Sequence, residues 1–517
     1  MPLQKVLFKP GVNRENTRYT NEGGWYACDK IRFRQGNPEK IGGWTPFSSS
    51  TFLGVCRSLW NWVTLAAENL VGIGTNLKFY ILKGNALFDI TPIRKTITLT
   101  NPFTATDGSS AIVVTEVNHG CVDGDYVTYS GAGIVGLGGN ITAGVLTGTF
   151  QITFLDDDNY SITVSATANA TDAAGSPGGG TVVTQYEVNT GSSYQVPLVG
   201  WGGGPWGAGT WGNGQTTSTA LQLWSQQNFG EDLVYGPRGG GIYYWTASIG
   251  VSPVQVTISI ASPGVITLPV GFSIRNGTAL TLTSTGALPT GLTVGTVYFV
   301  VNSSGTTFKL ATTINGTPIN TSGTQSGLQY ISQRGVNLAA AGDADTPVIQ
   351  NNIVVSDASR FVIVLGTNDY GSTTLDPMLI RWSDQEDPYT WVPSATNQAG
   401  SIRLSHGSEI ITAIQTRQEI VVFTDQAVYS LQYVGPPYVW TSQLMGDNIS
   451  IMGPNAVSLA SGIVYWMGKD KFYMYDGRVQ TLNCDLRRYV FQDINQLQNE
   501  QVFASTNDGF NEVWWFY

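Results

Sequence analysis

One pattern of apolar and polar positions returns along the chain: a short run of Val, Ile, Trp and Tyr, a tight polar turn, and a second such run. It is clearest at residues 71–82, 233–245, 420–433 and 464–475, with looser copies at 361–382 and 512–517. Such runs are typical of β-strands, and each pair of runs predicts a hairpin. A repeated hairpin cannot bury its own faces, so it stacks against its copies. Four-stranded sheets repeated around an axis form a β-propeller, and the sequence therefore predicts an all-β propeller.

Two regions, 96–190 and 251–333, depart from this pattern because they nearly lose Trp and become rich in Thr, Ser, Gly and Val. They also resemble each other. In the first, strand-like residues 148–152 and 160–164 flank a turn at 156–159; in the second, 295–300 and 307–310 flank a turn at 302–305. We interpret the two regions as duplicated small β-barrels or sandwiches inserted into propeller loops, where insertion costs little.

The remaining residues, roughly 340, suffice for about six or seven blades at the usual repeat length. The predicted organisation is an N-terminal propeller part (1–95), a first inserted β-domain (96–190), a middle propeller part (191–250), a second inserted β-domain (251–333) and a C-terminal propeller part (334–517). The middle part contains a Gly/Trp-rich loop, 200–214, whose evenly spaced indoles predict surface anchors. Apolar spacing predicts one helix over 486–497.

Charge narrows the possible functions. The 517 residues include 26 Lys and Arg against 36 Asp and Glu, a formal net charge of −10. A protein that grips nucleic acid needs a basic face, so DNA as a tightly bound ligand is disfavoured. An acidic wall past which DNA slides without binding stays open.

The four cysteines, at 28, 56, 121 and 484, form no Cys-x-x-Cys pair, which favours isolated reduced thiols. The first ten residues lack the apolar stretch of a secretory signal, and no run of 18 apolar residues predicts a membrane span. We therefore expect synthesis in a cytoplasm and either a soluble state or incorporation into a particle.

Candidate chemistry is sparse. The two histidines, His119 and His406, are expected in surface turns rather than in a catalytic triad. The run 156–158 (DDD) lacks the alternating spacing of a calcium loop and is expected to be a solvated turn. The run 382–391, with Asp384, Glu386 and Asp387 between Trp382 and Trp391, could supply a glycosidase carboxylate pair and sugar platforms, but a blade-connecting turn is the favoured interpretation. We assign no catalytic, cofactor-binding or metal-binding residues.

Several motifs are similar to those of one known family. They are 228–233 (NFGEDL), 377–388 (PMLIRWSDQEDP), 396–400 (TNQAG), 422–425 (VFTD), 433–437 (YVGPP), 465–470 (YWMGKD) and 472–479 (FYMYDGRV). Together with the Gly/Trp run and, more weakly, 23–26 (GGWY), they resemble the tail nozzle proteins of short-tailed bacteriophages, also called phage stabilization proteins. The resemblance covers the propeller parts from about residue 200 to residue 517.

The resemblance implies a structural protein without enzymatic activity, located in the virion tail and assembled in the host bacterial cytoplasm. Family members form a homo-oligomeric, six-fold ring below the portal and adaptor; the ring extends the DNA-ejection channel and helps to retain the packaged genome. The implied partners are the adaptor and portal proteins, tail fibres or tailspikes, and genomic DNA passing through the lumen without specific binding. The family supplies no catalytic residue or cofactor. Family members usually continue beyond the strand that ends this sequence.

Two alternatives accompany this interpretation. A glycan-binding or glycan-cleaving propeller that contacts host polysaccharide is suggested by the 15 Trp residues and the Gly/Trp-rich run, although the simpler interpretation is that most Trp residues pack between blades. In addition, the two inserts could serve as docking surfaces for tail fibres or neighbouring subunits.

Overall fold

The computed structural model describes residues 8–17, 19–131, 133–170, 178–195 and 221–517. The predicted Gly/Trp loop, 200–214, lies outside these residues. The chain divides into two compact units, a larger one (50–376 and 381–401) and a smaller one (1–49, 377–380 and 402–517). The smaller unit begins with a hairpin of β1 (Ile31–Arg34) and β2 (Asn37–Lys40).

The larger unit opens with a four-stranded antiparallel sheet, blade 1, whose strands pair in chain order. They are β3 (Cys56–Val63), β4 (Asn69–Thr75), β5 (Phe79–Lys83) and β6 (Ala86–Asp89).

Insert 1 follows blade 1 and is a seven-stranded sheet. Its elements are β7 (Ile93–Thr100), β8 (Phe103–Ala105), β9 (Ala111–Thr115), β10 (Tyr126–Ser130), the short helix α1 (Ala143–Leu146), β11 (Gly148–Asp156), β12 (Asn159–Thr163) and β13 (Thr181–Glu187). They pair in the order β7-β13-β10-β11-β12-β9-β8. A bridge between Phe103 and Gly178 brings β8 next to the segment that leads into β13, so the sheet curls towards closure.

Blade 2 is interrupted by insert 2. Its first three strands are β14 (Trp224–Phe229), β15 (Asp232–Pro237) and β16 (Tyr243–Trp245), followed by a 3-10 turn, Ala247–Ile249. Insert 2 comprises β17 (Val254–Ile258), β18 (Ile266–Thr267), β19 (Ala279–Ser284), β20 (Val297–Ser304), β21 (Thr307–Ala311) and β22 (Gln329–Arg334), which form a closed barrel in the order β17-β18-β21-β20-β19-β22. The chain then returns to add β23 (Val336–Asn337) as the fourth strand of blade 2.

The two inserts share a strand order. Beyond its edge strand β7, insert 1 reads β13-β10-β11-β12-β9-β8, and insert 2 reads β22-β19-β20-β21-β18-β17, so every strand of insert 2 has a counterpart in insert 1, whereas β7 has none. The predicted hairpins at 148–164 and 295–310 are β11–β12 and β20–β21, which occupy equivalent places. The inserted small β-domains are therefore confirmed, and insert 2 enters within a blade, between its third and fourth strands.

Blade 3 follows the short helix α2 (Leu338–Ala341). It consists of β24 (Gln350–Val355), β25 (Val362–Asn368), β26 (Leu375–Trp382) and β27 (Gly400–Arg403).

Blades 1, 2 and 3 stack through their first strands, because β14 contacts both β3 and β24. Two apolar clusters fill the spaces between them, one joining blade 1 to blade 2 and one joining blade 2 to blade 3. Gly74 on β4 shows how tight the first interface is: a Cβ atom there would lie 2.6 Å from Cγ of Trp224. Burial of Phe79, Leu233 and Trp245 in this interface removes apolar surface from water and holds the stack together.

The smaller unit contains two further four-stranded sheets. Blade 4 has β28 (Ile410–Gln415), β29 (Ile420–Thr424), β30 (Ala427–Gly435) and β31 (Val439–Asp447); blade 5 has β32 (Val457–Ala460), β33 (Ile463–Met467), β34 (Phe472–Tyr475) and β35 (Val479–Leu482). After α3 (Arg487–Asp493) and a 3-10 segment (Gln496–Gln501), β36 (Phe503–Asn507) and β37 (Glu512–Phe516) form a hairpin. β36 lies against β32, as β32 lies against β28.

The predicted fold class, an all-β protein with propeller blades and inserted β-domains, is confirmed, but two details differ. The described residues form five four-stranded blades and the two-stranded β36–β37, below the six or seven blades expected. Long connections such as 383–399 and 483–502 contain residues that the expected number of blades had counted as parts of blades. The helix predicted over 486–497 ends at Asp493, because Ile494 has extended backbone and Asn495 caps a separate 3-10 segment. Among the described residues, no helix combines the length and apolarity needed to cross a membrane.

Candidate functional site

The acidic turn that follows β26, residues 383–398, is the most chemically varied surface that the sequence singles out. An open groove there is lined by Asp384, Gln385, Glu386, Thr396 and Gln398. Oδ1 of Asp384 accepts backbone N–H bonds from Gln385 and Gln398, each at 2.8 Å. A carboxylate that accepts two backbone donors acts as a clamp on the loop.

Asp387 and Glu386 are also bound to neighbouring groups. Asp387 accepts hydrogen bonds from the backbone N–H of Tyr389 and the hydroxyl of Thr390, both at 2.9 Å. Glu386 points to solvent with its side chain 65% exposed and lies 3.6 Å from the guanidinium of Arg360. These contacts fit a structural turn, but the expectation that the turn connects two blades is wrong, because it joins β26 to β27 within blade 3.

The two tryptophans beside this turn are not available as sugar platforms. Trp391 is fully buried and Trp382 is 4% exposed. Their indole N–H groups donate to the carbonyl oxygens of Pro388 and Gln398, both at 2.8 Å. A sugar ring needs an exposed aromatic face for stacking, and neither residue offers one.

The segment that precedes the turn is equally committed to packing. Arg381 is fully buried, donates to the carbonyl oxygens of Asn368 (3.1 Å) and Asp345, and lies 4.0 Å above the ring of Tyr370. Ser383 accepts the backbone N–H of Val362 at 3.1 Å. The run Arg-Trp-Ser-Asp thus secures blade 3 through every one of its side chains.

The expectation of a surface position is wrong for His119. It is 1% exposed in insert 1, where its ring packs edge-on to Tyr160 at 5.0 Å between centroids. The backbone N–H of Cys121 donates to Nδ1 at 3.0 Å, which leaves the proton on Nε2 to donate to the carbonyl oxygen of Asp156 at 2.8 Å. The neighbouring Gly120 suggested an exposed turn, but the turn folds back over the sheet.

His406 is exposed, as expected, in the loop before β28. Its Nδ1 lies 3.2 Å from the hydroxyl of Ser405. Asp425 accepts from the backbone and hydroxyl of Ser408, both at 2.7 Å, so the carboxylate holds the loop. Ser405, His406 and Asp425, which lies between β29 and β30, are therefore not arranged as a relay for nucleophilic attack.

The acidic run 156–158 forms the turn between β11 and β12. Asp156 accepts the backbone N–H of Asp158 at 2.9 Å and the side-chain amide of Asn159 at 3.0 Å. These hydrogen bonds lower the pKa of Asp156. Within the part of the chain that the structure describes, no group of three or more His, Cys, Asp or Glu side chains is placed to hold a metal ion.

Sequence reasoning missed a buried ionic junction that joins both inserts to blade 1. Glu187, at the end of β13, pairs with Lys78 of blade 1 and lies 3.4 Å from Arg334 at the end of β22. Asp89 of blade 1 completes the set, 3.5 Å from Lys78 and 3.8 Å from Arg334. Lys78 and Glu187 are buried, with side chains 5% and 2% exposed, whereas those of Arg334 and Asp89 are 17% and 32% exposed. The two cations balance the two carboxylates, which offsets the cost of burying the Lys78–Glu187 pair.

The junction is reinforced by direct contacts between the inserts. The side chain of Gln185 on β13 donates to the carbonyl oxygen of Val297 at 2.6 Å and accepts the backbone N–H of the same residue at 2.9 Å. This pair of bonds mimics one step of a β-ladder. Both inserts are therefore fixed to blade 1 and to each other.

A second feature that the sequence did not reveal is a chain of hydroxyl groups inside insert 1. Tyr129 and Tyr160 share a hydrogen bond of 2.6 Å, Tyr160 and Tyr186 share one of 2.8 Å, and Tyr186 donates to Glu116. Lys95 lies 2.6 Å from the other oxygen of Glu116. Burial raises the pKa of Tyr160 and of Tyr186, so both stay neutral donors.

Comparisons with known proteins find similarity among solved structures. No family model matches the chain, and no curated protein matches it. Among solved structures, the chain is similar to the endosialidase of phage phi92, with 10% identity over 83% of this chain and a TM-score of 0.17. The match spans only 55% of the endosialidase. It is also similar to AztD of Citrobacter koseri, with 12% identity over 78% of this chain and 90% of AztD and a TM-score of 0.21.

Proposed function

We propose that the protein is a structural component of a short-tailed bacteriophage tail, a ring-shaped nozzle below the portal and adaptor that extends the DNA-ejection channel and helps to retain the genome. The observation that carries the proposal is the use made of its most specific motif. Residues 381–384, within the motif that resembles the nozzle family, all serve to fix blade 3. A motif whose side chains all make structural contacts supports a structural role for the protein.

The packing of the blades and inserts also supports a structural role, because it makes the subunit rigid. Blades stack through filled apolar interfaces, and two inserts are held by buried ion pairs. Rigid subunits that contact one another heterologously close into a ring when the rotation permits. An excess of ten negative charges suits a conduit that DNA must traverse without adhering, since like charges repel.

The test is the mass of the purified, full-length chain under native conditions and its presence in purified virions. We expect a ring of six copies that co-purifies with portal and adaptor. A strictly monomeric chain that is absent from virions would contradict the proposal.

The glycan alternative makes a different prediction for the acidic turn. In a glycosidase, Asp384→Asn would abolish hydrolysis of host polysaccharide and leave the fold intact. In the structural account, Asp384→Asn weakens a loop clamp and lowers stability, while the exposed Glu386→Gln changes nothing measurable. Depolymerisation of polysaccharide that is lost in either variant, with unchanged thermal unfolding, would favour the alternative.

A further inference from the structure

The third and fourth strands of blade 4 extend beyond the rest of their sheet. β30 and β31 have nine residues each, against five in β29. Pairing between β29 and β30 ends at Leu431, whereas β30 and β31 stay paired as far as Gly435 and Val439. The overhang, which we call the blade 4 tip (residues 432–441), projects about 13 Å at the rise of an antiparallel strand.

The blade 4 tip is apolar and exposed. Tyr438 is 79% exposed, Val434 is 52% exposed and Tyr433 is 40% exposed, and Pro436 and Pro437 between them also face solvent. Isolated apolar residues on a surface are ordinary, but five neighbours at the end of a projection form a patch.

The blade 4 tip contains no charged residue. No Asp, Glu, Lys, Arg or His occurs from residue 426 to residue 446. Two successive prolines also remove two backbone N–H groups at the point that projects furthest, so fewer donors lose hydrogen bonds on leaving water. A surface that mates with a folded protein usually carries a polar rim with hydrogen-bond partners. In the tip, Gln432 and Thr441 are exposed at the base, and no Ser, Thr, Asn or Gln occurs from residue 433 to residue 440.

The tip is also fixed in shape. The ring of Trp440 packs against that of Tyr433 across the two strands, with centroids 5.5 Å apart. The backbone N–H of Trp440 donates to the carbonyl oxygen of Tyr438 at 2.7 Å, which closes a three-residue turn around Val439 at a φ of +59°. A β-branched residue rarely adopts positive φ, and backbone strain of this kind is often found at functional sites.

We propose that the blade 4 tip inserts into the interfacial region of a lipid bilayer. Tyr side chains combine an apolar ring with a hydroxyl group and are favoured at the level of the headgroups. The overhang is long enough to reach the depth of about 5–10 Å at which apolar faces bury at the boundary of headgroups and acyl chains. A tip without charge enters this layer without desolvating an ion. The inference does not depend on the nozzle function, and a ring of copies would strengthen the binding by multivalency.

The experiment is flotation of the full chain with phosphatidylcholine vesicles, which carry no net charge. We expect the wild-type protein to float with the vesicles and the bound fraction to be unaffected by added salt. The double variant Val434→Ser/Tyr438→Ser should bind about tenfold more weakly, because two apolar side chains are lost. Tyr19→Ser removes another tyrosine of the smaller unit, 93% exposed but outside the tip, and should bind as the wild type does.

A second readout places the tip directly. In a Cys28→Ser background, which removes an exposed thiol, Val434→Cys carries an environment-sensitive dye whose emission should shift to the blue when vesicles are added. The proposal is overturned if the wild type does not float, if the double variant floats equally well, or if the dye does not respond. Loss of virion assembly in the double variant, without any vesicle binding by the wild type, would assign the tip to a protein partner instead.

Discussion

The two inserts follow one strand order but fill it differently. The interior of insert 2 is almost wholly apolar, with Leu280, Val300, Phe308 and Ile331 among its fully buried residues. The interior of insert 1 contains His119, Glu116 and Asp125 in addition to the linked tyrosines. The comparison shows that the same hairpin pattern and strand order can enclose either an apolar or a partly polar interior. A polar interior requires hydrogen-bond partners for its buried polar groups.

The largest effect is expected at the junction that both inserts share. Glu187→Gln breaks the buried pair with Lys78 and leaves Asp89 as the one carboxylate beside Lys78 and the partly exposed Arg334. Removal of one partner from a buried pair costs about 3–5 kcal/mol. Chemical denaturation followed by hydrogen exchange measures it. Because Glu187 belongs to insert 1 and pairs with Arg334 of insert 2, amides of both inserts should lose protection; a loss confined to insert 1 would show that the inserts are independent.

The matched control for the junction is the ion pair of Lys83 and Glu68, 2.6 Å apart but with side chains 30% and 37% exposed. Glu68→Gln should cost less than about 1 kcal/mol, since solvent screens the pair. If the two substitutions lowered the free energy of unfolding equally, the junction would not stabilise the protein more than an exposed ion pair does.

Within the inserts, the apolar core should be the more sensitive to loss of volume. Phe308→Ala removes a ring that is 1% exposed from the barrel of insert 2, and such truncations cost about 3–5 kcal/mol. Thermal unfolding with local hydrogen exchange detects the change. The amides of insert 1 should keep their protection if the two inserts unfold independently. A loss of protection in insert 1 would show that destabilising insert 2 also destabilises insert 1 through the junction.

A polar deletion should affect insert 1 by an intermediate amount. Tyr160→Phe leaves the ring in place but deprives Tyr129 and Tyr186 of a shared hydroxyl partner, at a cost of about 1–3 kcal/mol. Tyr298→Phe is the control in insert 2, where the hydroxyl accepts one backbone N–H, from Thr293, at 2.8 Å. If Tyr160→Phe proves neutral, the hydroxyl chain has no structural weight.

The smallest effect is a dependence of insert 1 on pH. Burial raises the pKa of Asp125, although N–H donors at Val122 and Thr190 oppose the rise. The native state therefore holds a proton that the unfolded state releases between the unfolded pKa, about 3.9, and the higher native value. Stability contributed by Asp125 is present below that window and is lost as pH rises through the native pKa. Asp125→Asn should remove this slope from the exchange rates of insert 1, and insert 2, with no such group in its core, should show none.

Much of the fold was accessible from the sequence. Strands with clear periodicity, such as Ile420–Thr424 and Phe472–Tyr475, lie where the pattern predicted. The inserts were predicted because hairpins β11–β12 and β20–β21 resemble each other. The number of blades was overestimated, since apolar periodicity gives no measure of how much chain the connections take.

The functional surfaces were less accessible. Lys78, Asp89, Glu187 and Arg334 are far apart in the sequence, and each by itself looks like an ordinary exposed charge. His119 has the local context of a surface turn, but Tyr160 and Phe154 pack against its ring and bury it. For the acidic turn after β26, residue types allowed either a glycosidase carboxylate pair or a connecting turn, and the hydrogen bonds that Asp384 and Asp387 accept could not be predicted from the sequence.

The central claim, that stacked blades form a rigid scaffold that assembles around a bore, is tested most directly by electron cryo-microscopy of the virion tail at secondary-structure resolution. The account predicts six copies in a ring below the adaptor, with four-stranded blades and two small β-domains visible in each copy. A tail whose corresponding ring lacks these sheets, or virions in which the protein is absent from the channel, would contradict it.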